Sequence, residues 1–298
     1  MLSTKQLRYL VSLAQFSHFG RAAENCFVSQ SAFSIAIKEL EDRLGVQVVD
    51  RTNRQVTMTP IGLDLVVQAK KVLLELERMQ ELATAAKDPL SGPIKLGVIP
   101  TIAPYVLADF VAECQSRHPN LQLYIREDLT ANLHAALLDG QLDLLLLALP
   151  MPMRAVEQLV LFKDPFYFAY HPDYPISEGL NPEEMIDDSV MLLEEGHCLR
   201  DHALAACNLH NRNKVSGFSA TSLATLVQMV ASRLGVTYLP ELSIASLKQN
   251  YPCISIEPMG EDHYREIGLV WRKGSARLEA FHALGDIICQ LKERKQCK

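Results

Sequence analysis

The stretch FGRAAENCFVSQSAFSIAIKELEDRLGVQVVDRTNRQVTMTPIG, residues 19–62, decides how the N-terminal part of the chain is read. Ser29 is a good helix N-cap, and after it Phe33, Ile37, Leu40 and Leu44 recur at helical spacing until Gly45 stops the run. Gln30, Ser31, Ser34 and Lys38 lie off that stripe, which leaves a second face polar and uncrowded. Working back, residues 21–27 read as a short helix in which Ala22 and Ala23 allow close approach. A turn over 17–20 precedes it, and Ser3 or Thr4 caps a first helix with Leu7, Leu10, Val11 and Ala14 on its apolar face. Working forward, residues 46–49 and 55–59 read as short strands around a basic Arg51-Thr52-Asn53-Arg54 turn. Three helices and a hairpin in this order form the pattern of a winged helix-turn-helix. The periodicity alone fits any small helical domain. The wing adds arginines able to hold phosphates beside small polar side chains able to approach base edges.

Thr59-Pro60 then places a cap before a proline suited to the first helical position, and the next break is Asp88-Pro89. The helix between them is about 28 residues and about 42 Å long. Ile61, Leu65, Ala69, Val72, Leu76, Met79, Ala83 and Ala86 fall close to a coiled-coil seam. An amphipathic helix packed on its own domain gives the same stripe, but the length points to a partner. Ile61, Leu65, Val72, Leu76 and Met79 are therefore the expected dimerisation residues.

After the Ser91-Gly92-Pro93 linker, strands over 94–99, 121–128 and 142–149 alternate with helices over 102–117 and 131–139, a βαβαβ unit with parallel-sheet character. A second set has strands over 166–170, 190–194, 236–239 and 254–257 and a helix over 222–233, which gives a second lobe. The strand 267–271 and the helix 276–294 are expected to return to the first lobe. The expected domains are 1–58, 59–88 and 89–298, with lobe I at about 93–162 and 267–298 and lobe II at about 163–266.

Several classes are excluded. With 298 residues, 48% of them hydrophobic, the chain has ample material for buried cores and is not a disordered tail. Its longest apolar run, residues 144–153, is broken by Pro150 and Pro152 and is too short to span a bilayer, and the polar N-terminus lacks a secretory pattern, so a cytoplasmic protein without membrane contact is expected. Seven cysteines without a CxxC pair argue against a disulfide framework or zinc ribbon, and no metal or other cofactor is expected. No glycine-rich phosphate loop, GxSxG or HExxH occurs, so catalysis is not the default and the chain is not read as an enzyme. The net charge of −6 gives no general support for a nucleic-acid partner, but it is unevenly spread: residues 1–60 hold seven basic and five acidic side chains, whereas 92–298 hold 18 and 25.

One cysteine stands in a reactive setting. In Glu195-Gly196-His197-Cys198-Leu199-Arg200-Asp201-His202 a thiol has an imidazole beside it and a guanidinium two residues on, both of which favour thiolate. A thiolate attacks peroxide to give sulfenic acid. Asp201 either neutralises Arg200 or handles the proton that a departing hydroxide takes. Cys26, Cys114, Cys253 and Cys289 read as packing residues, and Cys297 lies in a charged tail.

Residues 19–62 resemble the LysR-type transcriptional regulators, with motif order matching throughout. The resemblance extends through IPTIAPYVL (99–107), GHCLRDHALAAC (196–207), ATSLATLVQMVA (220–231) and REIGLVWR (265–272), which are similar to the peroxide-sensing members of that family. It implies a two-lobed effector domain of periplasmic-binding-protein type. Ser29, Gln30, Ser31, Ser34 and Lys38 would face the major groove, and Arg51, Thr52 and Arg54 the backbone or minor groove. Cys198 is then the peroxidatic and Cys207 the resolving cysteine, with Thr101, His197, Arg200, Asp201 and Arg265 around the thiol to orient peroxide. On their own residues these positions keep plainer readings: Thr101 as a helix cap, His197 as a core hydrogen-bonder, Arg265 as a strand-end charge and Asp201 as a surface residue. The family usually has proline where Ser31 stands and often a polar or basic residue at Ile35 or Ala36, so operator preference does not carry over. The implied partners are a double-stranded DNA operator, hydrogen peroxide, a second copy or a homotetramer, RNA polymerase and a thiol reductant. Two other functions fit the sequence: a regulator taking a small organic effector in the crevice between lobes, and a thiol peroxidase.

The spacing of the pair matters. In one continuous helix, residues 198 and 207 would point about 180° apart and lie about 13.5 Å apart along the axis. A disulfide needs Cα atoms within about 7 Å, so joining them would require the segment to refold.

Overall fold

The computed structural model describes residues 2–52, 55–85, 88–176, 185–206 and 212–296. Contacts divide the chain into two compact units, Met1–Ala83 and Thr84–Lys298. Among the described residues no helix is long and apolar enough to cross a membrane.

The first unit holds α1 (Thr4–Phe16), α2 (Phe19–Asn25), α3 (Gln30–Leu44), a hairpin of β1 (Val49–Thr52) and β2 (Gln55–Met58), and α4 (Pro60–Ala85). A capping box starts α1, with Ser3 accepting from the Gln6 amide and Gln6 accepting from the Ser3 amide. Phe33, Ile37 and Leu40 of α3 are fully buried, as their spacing predicts, and Phe33 stacks on Tyr9 with centroids 4.7 Å apart. Glu41 ties α3 to the wing by accepting from the amides of Val48 and Val49 at 2.9 and 3.3 Å.

Four expectations change in this unit. The buried face of α1 is Tyr9, Leu10 and Leu13, with Leu7, Val11 and Ala14 only partly covered, because Phe33 draws the Tyr9 side inward. Residues 46–48 are not strand. Arg51 and Thr52 belong to β1, paired with Val56 and Gln55, rather than to the turn. The seam of α4 also divides: Ala69 and Val66 pack into the unit, while Ile61, Val72 and Met79 are exposed and Leu65 and Leu76 half-buried. Gly62 is why the start of α4 lies so close, since a Cβ there would sit 2.2 Å from the Val48 carbonyl oxygen.

The second unit contains β3 (Gly92–Val98), α5 (Ala103–Arg117), β4 (Leu121–Glu127), α6 (Thr130–Leu138), β5 (Leu144–Leu149), β6 (Val156–Tyr170), β7 (Val190–Leu193), α7 (Cys198–Ala206), β8 (Val215–Ala220), α8 (Leu223–Ala231), β9 (Thr237–Pro240), α9 (Glu241–Asn250), β10 (Ser255–Pro258), β11 (Tyr264–Arg272) and α10 (Leu278–Gln296). The main sheet has the order β10-β6-β11-β5-β3-β4, with β9 also on β6. β3 runs parallel to β4 and β5, and β11 lies antiparallel between β5 and β6. β5, Leu-Leu-Leu-Leu-Ala-Leu, is buried along its whole length, as a central strand covered on both faces requires.

Two apolar cores share this sheet. One gathers β3, β5, α5, α6, β11 and α10, and the other gathers the end of β6 with β7, α8 and β9. β6 passes from one to the other over 15 residues, whereas the sequence suggested strand only from residue 166. Lys163-Asp164-Pro165 interrupts the apolar pattern there, and the interruption is resolved across the ladder, where Arg265 of β11 stands opposite Asp164. β8 and α9 were also not expected: Val-Ser-Gly-Phe-Ser-Ala has little apolar alternation, and α9 has a weakly amphipathic sequence.

Candidate functional site

The turn before α7 puts Gly196 at φ +96°, a conformation glycine adopts without strain, and α7 opens directly on Cys198. The next residues of α7 divide between the two cores. Cys198 is 5% exposed and packs with the core of β3 and β5, whereas Leu199 and Ala203 pack with the core of β7 and α8. The thiol thus plugs one lobe from a helix seated on the other.

Thr101, His197 and Arg265 come together around it, and so does Thr130, which the sequence did not single out. Ile99, Pro100, Thr101, Leu129, Thr130 and His197 bound a cavity of only about 10 Å³ at Cys198, room for about one water-sized sphere. Arg265 is fully buried. Its Nη1 donates to Thr101 Oγ1 at 2.8 Å, its Nη2 to the Thr101 carbonyl at 3.1 Å, and its Nε to Asp164 Oδ2 at 3.0 Å. Asp164, also with no exposure, accepts from the Leu242 amide at the start of α9 at 2.9 Å. Neither the strand-end charge at Arg265 nor a cap at Thr101 fits: the helix-capping position before α5 is Ile102, and it makes no side-chain cap bond. The sequence carried no cue to Asp164, because its register with Arg265 exists only in the sheet.

The electrostatics differ from the expectation of a simply depressed thiol pKa. Burial pushes Cys198 up and is the largest effect, while Arg265, the Thr130 hydroxyl and the Ala148 main chain pull it down and Asp201 pushes it up. Burial holds His197 below the ordinary imidazole value, with Glu194 opposing, which works against the thiolate-favouring charge expected of it. Arg200 is turned away, with Nη1 donating to the Leu193 carbonyl at 3.1 Å. The positive charge acting on the thiol is therefore that of Arg265, which lies 67 residues further along the chain. Asp201 is exposed on α7. Cys207 lies outside the described residues. Among the described residues Cys26, Cys114, Cys198, Cys253 and Cys289 are free thiols, and no group of acidic, His and Cys side chains is arranged to hold a metal.

On the first unit, Gln30, Ser31 and Lys38 are exposed and Ser34 is half-buried on α3. Ser29 has a structural task as well, since its hydroxyl accepts from the Ala32 amide at 3.3 Å and lies 3.1 Å from that of Ser31. Ile35, where the family is often polar, is exposed on the same helix, and Phe27 is 96% exposed in the turn before it at φ +54°. Arg54 lies outside the described residues.

Comparison with known proteins covers both units. Residues 4–63 match the bacterial regulatory helix-turn-helix family of lysR type, and residues 87–291 match the LysR substrate binding domain. The chain is 37% identical over 294 residues to the DNA-binding transcriptional dual regulator OxyR of Escherichia coli K12, covering 96% of this chain and 95% of that one. A full-length OxyR variant from Pseudomonas aeruginosa matches with a TM-score of 0.76 at 37% identity over 97% of this chain and 95% of that one. The reduced regulatory domain of OxyR2 from Vibrio vulnificus matches at 44% identity and a TM-score of 0.65, over 68% of this chain and 97% of that one. With a helix-turn-helix unit and an effector unit both accounted for along almost its full length, the chain belongs to the LysR family of bacterial transcriptional regulators.

Proposed function

We propose that this protein is a DNA-binding transcriptional regulator that senses hydrogen peroxide through Cys198. The observation that carries the reading is the position of that thiol, buried in one core at the head of a helix that rests on the other, with Thr101, Thr130 and Arg265 beside it. The Cys198 thiolate attacks one peroxide oxygen, the O–O bond breaks, and the hydroxide that leaves takes a proton to become water. Arg265 stabilises the thiolate, and Thr101, Thr130 and His197 offer hydrogen bonds to the peroxide. The sulfenic acid formed is polar and larger than the thiol, so it no longer suits a core with so little free volume. Attack by the Cys207 thiol on the sulfenic sulfur then expels water and leaves a disulfide. Eight helical steps hold Cys198 and Ala206 about 12 Å apart, and one further Cα–Cα step of about 3.8 Å cannot bring residue 207 within disulfide range. The bond therefore requires α7 to unwind, and this converts an oxidation into a change of shape.

In the same reading, Ser29, Gln30, Ser31, Ser34 and Lys38 meet the major groove, with Arg51, Thr52 and Arg54 on the backbone or minor groove. Residues 59–88 form the linker between the domains at 1–58 and 89–298, and the exposed Ile61, Val72 and Met79, with Leu65 and Leu76, pair two copies into a dimer that reads a two-fold operator. The dimer or a tetramer built from it acts with RNA polymerase, and a cytoplasmic thiol reductant resets the disulfide. A second reading has one observation in its favour, a crevice of about 400 Å³ bounded by Thr101, Tyr105, Leu193 and Ser222, which would suit a small organic effector.

Peptide mass mapping after one equivalent of peroxide, with operator footprints of both forms, tests the reading. A 198–207 disulfide and an altered footprint are expected, both lost in Cys198→Ala. A footprint change that survives in Cys198→Ala would favour the effector reading, and rapid multiple turnover without operator binding would favour a peroxidase.

A further inference from the structure

A cavity of about 510 Å³ in the second unit lies away from the thiol. It is a groove whose walls come from α5, β6, α9 and α10, and its volume is that of an ordinary small-molecule pocket. Val106, Phe162, Leu242, Ile288 and Leu291 make its floor apolar. Two ion pairs within it neutralise themselves, Lys292 with Glu241 and Lys295 with Asp109. Lys248 on α9 is exposed at the edge and has no ion-pair partner among the described residues. The groove thus carries one net positive charge on a stretch, residues 92–298, with 18 basic and 25 acidic side chains. Tyr105 and Tyr167 add phenols to the wall.

We propose that this groove is an allosteric site for an amphipathic monoanion, an aromatic or medium-chain carboxylate whose apolar body lies on the floor and whose carboxylate meets Lys248. A cation would be repelled at Lys248, and a wholly apolar ligand would leave that charge unused. The site differs from the inter-lobe crevice, and it is wired to the thiol at two points. Leu242, on the floor, is the residue whose amide bonds Asp164, and Asp164 holds the Arg265 that binds Thr101. Tyr105 faces both the groove and the crevice and feels the charge of Arg265. A ligand that shifts α9 against α5 therefore alters the hydrogen bonds that set the reactivity of Cys198. This coupling rests on the peroxide reading; the binding does not.

The test uses the reduced full chain, 8-anilinonaphthalene-1-sulfonate as fluorescent probe and decanoate as competitor. One saturable site displaced by decanoate is expected. Ala245→Trp, which fills the groove from α9, should weaken it by at least about tenfold, and Lys248→Glu by about five- to tenfold. Both variants should keep the parent thermal midpoint and operator affinity. Saturating decanoate should change the rate of Cys198 oxidation by peroxide about threefold or more, and this change should vanish in Ala245→Trp. No saturable binding, or binding indifferent to both substitutions, overturns the site. Binding that leaves the oxidation rate unchanged overturns the coupling. If Cys198 does not react with peroxide at all while binding and its sensitivity to the two variants persist, the peroxide reading fails and the site stands.

Discussion

Replacing Asp164 by Asn should separate what the buried ion pair does for stability from what it does for the thiol. The substitution keeps the side-chain size and one carbonyl oxygen for the Leu242 amide, but it removes the charge facing Arg265. Both partners are completely buried, and the guanidinium contacts the carboxylate through Nε at 3.0 Å and Nη2 at 2.9 Å. Removing one partner of such a pair leaves an uncompensated buried charge and costs about 3–5 kcal/mol. For a unit of this size each kcal/mol lowers the midpoint by about 2–4 °C, so the effector-unit transition should fall by about 6–20 °C in calorimetry of the reduced chain. The thiol should move the other way. Arg265, no longer balanced, pulls the Cys198 pKa down, and the pH midpoint for alkylation by monobromobimane should fall below that of the parent. The double variant Asp164→Leu, Arg265→Met should recover much of the stability, because an apolar pair needs no compensation, while its alkylation midpoint rises above the parent's. A midpoint loss under about 3 °C in Asp164→Asn, or alkylation midpoints moving the same way in both variants, would refute the reasoning.

Other outcomes follow from the same geometry. In the parent, alkylation of Cys198 should have its midpoint above the ordinary thiol value of 9.0, because burial outweighs Arg265; a midpoint near neutrality would contradict this. Burial holds His197 and His202 below 6.5, so the unfolded chain takes up more protons than the folded one below that pH. Stability should be full above about pH 6.5 and fall as pH drops through the window beneath it; denaturant titrations at pH 7.5 and 5.5 should show this slope reduced in a His197→Gln, His202→Gln variant. Glu41→Ala strips two wing amides of their acceptor and should lower the stability of the first unit by about 1–3 kcal/mol, with weaker operator binding read by fluorescence anisotropy. Arg54→Ala should weaken operator binding in both redox states and reduce its salt dependence by about one unit of slope, whereas Cys198→Ala should leave binding intact and remove only the peroxide response.

Local pattern was enough for the helix-turn-helix core and for the order of strands and helices in the first lobe. The spacing of Phe33, Ile37 and Leu40 states which side of α3 is buried, and Leu144 to Leu149 can only be a covered central strand. The setting of Cys198 was also visible, because residues 197–202 are neighbours in the chain. What electrostatics act on that thiol was decided only in three dimensions. Burial disfavours a charge on His197 and Arg200 turns to Leu193, while the effective positive charge arrives from Arg265, fixed by an antiparallel register with Asp164 that no short-range pattern encodes. The same holds for α4. Its heptad-like stripe is written in the sequence, yet which of its residues turn inward depends on Gly62 meeting Val48. Periodicity reports one face of one element; which face another element covers, and which charges meet there, is set by contacts between residues far apart along the chain.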